Sequence, residues 1–167
     1  IEGFWNGTSM VSDTARVYLR NSVSPYAIVD SSKSVLNQNG LGSFCFFTAA
    51  GGNYYIVAKH RNSIETWSKF PVSFVNGVST VYNFSTAANK AYGDNLILNA
   101  AKYCIYGGDV NKDDIIDASD VSDVDNDALN AVSGYVKTDL TGDDFVDSAD
   151  LSIVDNNSLN SISIQRP

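Results

Sequence analysis

A mostly β chain closing on a small helical module is the fold class this sequence predicts. Three observations predict it. Short runs of alternating apolar and polar residues fill the first two thirds, an Asn-Gly pair separates two β-rich runs, and an aspartate-spaced pattern recurs thirty residues apart in the last third.

Taken in order, Ala15-Arg16-Val17-Tyr18-Leu19-Arg20 alternates as a half-buried strand does, and Ser43-Phe44-Cys45-Phe46 repeats the pattern over four residues. Tyr54 to Lys59 is a short β-rich run. Asn76-Gly77 joins Val72-Ser73-Phe74-Val75 to Val78-Ser79-Thr80-Val81-Tyr82 and predicts a two-residue hairpin, because both turn residues tolerate positive φ. Asn39-Gly40 and Gly51-Gly52-Asn53 mark further turns, while residues 90–101 fit a last strand or a loop equally well. Several short strands at this spacing predict a β-sandwich of immunoglobulin-like or prealbumin-like kind over residues 1–106. The alternation stops near Gly107-Gly108, and residues 107–167 form the second module. No Pro/Ser-rich linker lies between the two, so they are expected to abut.

Charge divides the chain at the same place. Residues 1–108 carry eight Lys/Arg against five Asp/Glu, or +3; residues 109–167 carry three against fourteen, or −11; together these give the net −8. Phosphates would be repelled by the acidic third and would find no basic stripe, so a nucleic-acid partner is not expected. No apolar run approaches the length of a membrane span, and membrane insertion is not expected either. The chain opens on Ile1 with no hydrophobic leader and reads as a processed mature chain or a fragment of a longer one.

Residues 109–130 and 139–160 are identical at eleven of twenty-two positions, which is the mark of a duplication. Oxygen-bearing side chains recur at loop positions 1, 3, 5, 9 and 12 of each copy. They are Asp109, Asn111, Asp113, Asp117 and Asp120, then Asp139, Thr141, Asp143, Asp147 and Asp150. Position 7 adds a backbone carbonyl, from Ile115 and from Phe145. A calcium ion takes about six to eight hard oxygen ligands, and this spacing wraps one loop around one ion. Two calcium sites are therefore expected, the second weaker because Thr141 is neutral. Position 6, where such loops favour glycine, holds Asp114 and Asp144. Asp enters the left-handed region more readily than most residues. Position 8 is apolar in both copies (Ile116, Val146). Val121, Val124, Leu151 and Val154 then follow at the i, i+3 spacing of a short helix packing inward.

This arrangement resembles the paired calcium loops of dockerin modules. The likeness spans roughly residues 107–160 and rests on Asp109-Val110-Asn111-Lys112-Asp113 through Asp120, repeated from Asp139 to Asp150. It implies two loop–helix repeats, calcium at the positions above, and docking onto a cohesin-like protein in a secreted bacterial assembly. Dockerins often carry a Ser-Thr pair at loop positions 10 and 11. Here those positions are Ala118-Ser119 and Ser148-Ala149, followed by acidic rather than basic residues.

Catalysis is not expected. The single histidine, His60, reads as an exposed loop residue in Lys59-His60-Arg61-Asn62, and no nucleophile, base or phosphate-loop pattern accompanies it. Cys45 and Cys104 have no metal-type spacing; they read as small buried hydrophobes, with a disulfide left open. Trp5, Trp67 and nine tyrosines would serve a sugar-stacking face or a core. The termini suggest assembly. Ile1-Glu2-Gly3-Phe4-Trp5 and Ser161-Ile162-Ser163-Ile164-Gln165 read as ordinary edge strands or as strands added to a neighbour's sheet. Opposite module charges favour head-to-tail contact. The expectation is a secreted or cell-surface structural protein whose partner is itself, as a fibre subunit. Docking onto a cohesin-like receptor is the alternative, and carbohydrate binding comes third.

Overall fold

The structure is a computed structural model and describes residues 1–167. It is mostly β with two helices. The strands are β1 (Asp13–Asn21), β2 (Ile28–Leu36), β3 (Gly52–Lys59), β4 (Thr66–Trp67), β5 (Val72–Phe74), β6 (Ile97–Asn99) and β7 (Lys102–Cys104); the helices are α1 (Ala118–Leu129) and α2 (Ser148–Leu159). No helix is long and apolar enough to cross a membrane.

The alternating run becomes the centre of the larger sheet. β1 buries Ala15, Val17 and Leu19 on one face and pairs antiparallel with β2 on one side and β3 on the other. The far side of β3 is shared, with Val57 opposite Trp67 of β4 and Tyr54 opposite Val72 of β5. One face packs Val17, Leu19, Tyr54 and Ile56 against Phe44, Phe46, Phe74, Tyr82 and Phe84. The other packs Tyr55, Val57 and Trp67 against Tyr18, Tyr26 and Tyr92. β6 and β7 form a separate pair.

Two strand expectations change and a third, left open, is resolved. Residues 43–48 stay irregular and are tied to side chains of β2 rather than to its backbone: Cys45 N–H donates to Ser32 Oγ at 3.0 Å and Thr48 N–H to Asp30 Oδ2 at 2.6 Å. Asn76-Gly77 does turn the chain, with Gly77 at φ 76° and Val78 N–H bonded to the Val75 carbonyl at 3.0 Å. Residues 78–82 nevertheless form no return strand: β5 pairs with β3 alone, and Val81 stands 90% exposed. The ambiguous stretch 90–101 resolves into a 3-10 turn, Tyr92–Asp94, followed by β6. Both tryptophans are buried, Trp5 at 9% and Trp67 at 2% exposure, which leaves no sugar-stacking platform on them. The thiols are unpaired; Cys104 is buried as expected, whereas Cys45 is exposed.

The C-terminal core is built from repeat partners. Val110 and Leu140, Ile116 and Val146, and Val124 and Val154 are all buried together, with one further residue, Ile64, entering from the turn between β3 and β4. The hydrogen bonds obey the same pseudo-two-fold. Ile116 N–H donates to the Ile162 carbonyl (2.8 Å) as Val146 N–H does to that of Val132 (3.0 Å). Ile164 N–H meets the Asp114 carbonyl (2.9 Å) as Gly134 N–H meets that of Asp144 (2.8 Å). The C-terminal tail is thus the counterpart of residues 131–136, closing loop 1 as that segment closes loop 2. It also bridges β4, Gln165 opposite Thr66.

Candidate metal centre

Each loop is shaped by its own carboxylates. Asp117 and Asp147 cap α1 and α2, accepting from Ser119 N–H (2.8 Å) and Ala149 N–H (2.7 Å). Asp120 and Asp150 complete reciprocal capping boxes, taking Asp117 N–H (3.1 Å) and Asp147 N–H (2.9 Å) on Oδ2. Their other oxygens reach back across the loop to Val110 and Asn111 N–H in one copy, and to Leu140 and Thr141 N–H in the other. Asp113 Oδ1 accepts from Ile115 N–H (3.1 Å), and Asp143 Oδ1 from Phe145 N–H (3.0 Å). Positions 4 and 6 carry positive φ in both loops: Lys112 68° and Gly142 74°, then Asp114 73° and Asp144 69°. The two position-6 aspartates therefore hold the turn that glycine would otherwise make.

The loops differ at position 1. Asp139 is wrapped, its Oδ1 accepting Gly142 N–H at 2.7 Å and its Oδ2 facing Arg61 Nη2 at 3.4 Å. Asp109 is 1% exposed and its Oδ1 has no hydrogen-bond partner. Burial pushes its carboxyl up to about 6, against the pull of the Lys112 ammonium, which burial in turn lowers to about 8. Asp120 and Asp150 are raised by burial too, offset by the amides they accept. No three acidic, His or Cys side chains are gathered into a metal cluster. Asp113, Asp117, Asp120, Asp139, Asp143, Asp147 and Asp150 each accept a loop amide, whereas Asp109 accepts none on Oδ1. The donor set still fits a hard cation: every side-chain donor is an oxygen, and one buried carboxylate oxygen in loop 1 is unsatisfied. Asp109, Asn111, Asp113, Asp117 and Asp120, with the Ile115 carbonyl, would hold one ion. Asp139, Thr141, Asp143, Asp147 and Asp150, with the Phe145 carbonyl, would hold the other.

A polar seam joins loop 2 to the sheet, and His60 lies in it at 6% exposure rather than in solvent, contrary to the sequence reading. His60 Nε2 is 3.0 Å from Asp13 Oδ2, which also accepts from Arg61 Nε at 3.0 Å; Tyr135 OH donates to Asp13 Oδ1 at 2.7 Å. Asn62 Nδ2 donates to the Asp139 carbonyl at 2.7 Å, and its own carbonyl receives Gly108 N–H at 2.7 Å. Lys112 Nζ donates to the Ser63 carbonyl at 2.9 Å, tying loop 1 to the same turn. Burial raises Asp13, but bonds from His60, Tyr135, Arg61 and Thr14 outweigh it and hold the carboxyl well below the usual range. Burial lowers His60, and Asp13 recovers only part of that. The seam was missed because its partners lie far apart in sequence and nothing local marks a buried histidine. The N-terminal segment adds a second tie: Glu2 accepts from Asn157 Nδ2 at 2.7 Å and from Gly107 N–H at 3.2 Å.

No protein-family model matches the sequence. No curated protein matches it either. A solved structure of a type II cohesin–X–dockerin complex from Acetivibrio cellulolyticus, a C-terminal interface mutant, contains a similar chain. The two are 15% identical with a TM-score of 0.45, over 89% of this chain and 85% of that one.

Proposed function

We propose that this chain is a non-catalytic, extracellular calcium-binding structural protein that assembles with copies of itself into a fibre. The fold reading that goes with it is a β-sandwich over residues 1–106 and a dockerin-like pair of loop–helix repeats over residues 107–167. The observation that carries the calcium part is the buried, unpartnered Asp109 oxygen, in a loop whose twin shares its turns, caps and donor positions. Bound calcium would supply the positive charge that lets the loop carboxylates face one another. At calcium about 100-fold above the dissociation constant, each site adds about 2.7 kcal/mol.

Assembly is supported by two features. The outer edge of β2 has no partner strand, and such an edge is a template for strand addition. The two halves are opposite in charge and joined by a buried seam, so contact between the first half of one copy and the second half of another would bring unlike charges together. Light scattering of the purified chain, in calcium and then in excess chelator, tests the reading. Large particles that dissolve on chelation are expected; a compact monomer in both would overturn the fibre. That second result would favour docking onto a cohesin-like receptor. For this alternative, the equivalent residues Leu129 and Leu159 stand 78% and 76% exposed on the two helices.

A further inference from the structure

At one end of the sheet face that carries Tyr18 and Val57, three cations share one row: Arg16 of β1 lies opposite Lys33 of β2 and opposite Lys59 of β3. Like charges directly opposite each other weaken a sheet, so such a row needs an answering charge. Lys59 has one, Glu65 at 2.8 Å. Arg16 and Lys33 are exposed and make no ion pair; the Arg16 guanidinium only hangs over its neighbour Tyr18, 6.0 Å from the ring centre. The row borders a cleft of about 280 Å³ whose far wall is Arg61 and Tyr135, at the foot of the seam. Arg61 is spent on Asp13 and Asp139, which leaves Arg16 and Lys33 as the free positive charge of the cleft.

Answering charge stands on the helices. Asp125 of α1 and Asp155 of α2 occupy equivalent repeat positions; both are exposed and neither makes an ion pair. Asp123, by contrast, is taken by Lys137 at 2.7 Å. Resting on the fibre reading above, we propose that the Lys33–Arg16–Lys59 row is the receiving half of a head-to-tail joint. Its occupants are the exposed Asp125 of α1 and Asp155 of α2 of a second copy. Residues 109–167 carry −11 and residues 1–108 carry +3, so the surfaces attract in that pairing and repel when helices meet helices. The two surfaces differ, so the contact is heterologous and propagates unless its rotation closes a ring.

The test compares full-length chains in calcium by sedimentation velocity, with circular dichroism confirming that each variant folds. Wild type should assemble, and less so as salt rises. R16E/K33E and D125K/D155K should each associate at least tenfold more weakly. An equimolar mixture of the two variants should assemble again, because every joint in it pairs opposite charges. Unchanged assembly of R16E/K33E would overturn this joint while leaving the fibre standing. A wild type that stays monomeric would overturn the fibre and the joint together. Retention of wild type on a sulfated polysaccharide column, abolished in R16E/K33E while assembly persists, would give the row to an acidic polymer and likewise overturn the joint.

Discussion

Asp109 and His60 mark opposite limits of what single residues disclose. The ligand positions, Asp109 among them, were legible because the repeat holds them in register. The site chemistry of His60 was not, since the carboxylate that partners it, Asp13, stands 47 residues away. Each supports a prediction. Asp109→Asn removes a carboxylate that burial disfavours, so calcium-free stability at neutral pH should hold or rise while calorimetric stoichiometry falls from two ions to one. A variant still binding two would remove Asp109 from the ligand set. Acidification should act through His60 and Asp13 with one sign. His60 is depressed, so the unfolded chain binds more protons below pH about 6.5, and stability present above that value is lost as pH falls. Asp13 adds a second loss below the usual carboxylate range. Asp109, raised to about 6, has the opposite sign: without calcium the folded chain takes up its proton first, and acidification through that value stabilises. Thermal melts from pH 7.5 to 5 in saturating calcium, run on wild type and His60→Gln, separate the His60 contribution from that of other buried groups such as Glu2. The decline should be shallower in His60→Gln, and equal slopes would deny the histidine that role.

Elements were legible where one local pattern decided them. β1, β3 and the two helices follow from alternation, β-branched content and helix-type spacing after an aspartate cap. The run 43–46 and the return strand 78–82 form no ladder although β2 and β5 each keep an unpaired edge, since local alternation does not specify which neighbour a strand will pair with. The turn from β3 to β4 does more than connect them. In six residues it supplies Ile64 to the C-terminal core, Asn62 to the Asp139 carbonyl and Ser63 to Lys112. Asn62→Ala strips the buried Asp139 carbonyl of that donor and the His60 ring of its second partner. A cost of about 1–3 kcal/mol is expected from urea unfolding, with a smaller gain in stability on adding calcium. An unchanged midpoint would mean that water or a neighbouring amide replaces the side chain.

Over the whole molecule, what the sequence could not disclose is how far the halves interlock. The missing linker says that they touch, but not that Ile64 completes a core otherwise made of three repeat pairs, nor that residues 162–164 of the tail are needed to close loop 1. Any exchange of the C-terminal tail between copies must therefore open a calcium loop first, which makes β2's free edge and the charged row better joints than that tail. The same interlock predicts how calcium is felt. Two ions about 100-fold above their dissociation constant add about 5 kcal/mol, comparable to the whole stability of many domains of this size. If the seam couples the halves, that energy cannot stay within residues 109–160. Hydrogen exchange should slow on adding calcium at residues 57–67 and 2–5 as well as in the loops. The thermal transition should remain single, moving as one step. Protection confined to the loops and helices, with two separate melts, would show halves that merely abut. A fibre built from them would then transmit no calcium-dependent stiffness from one joint to the next.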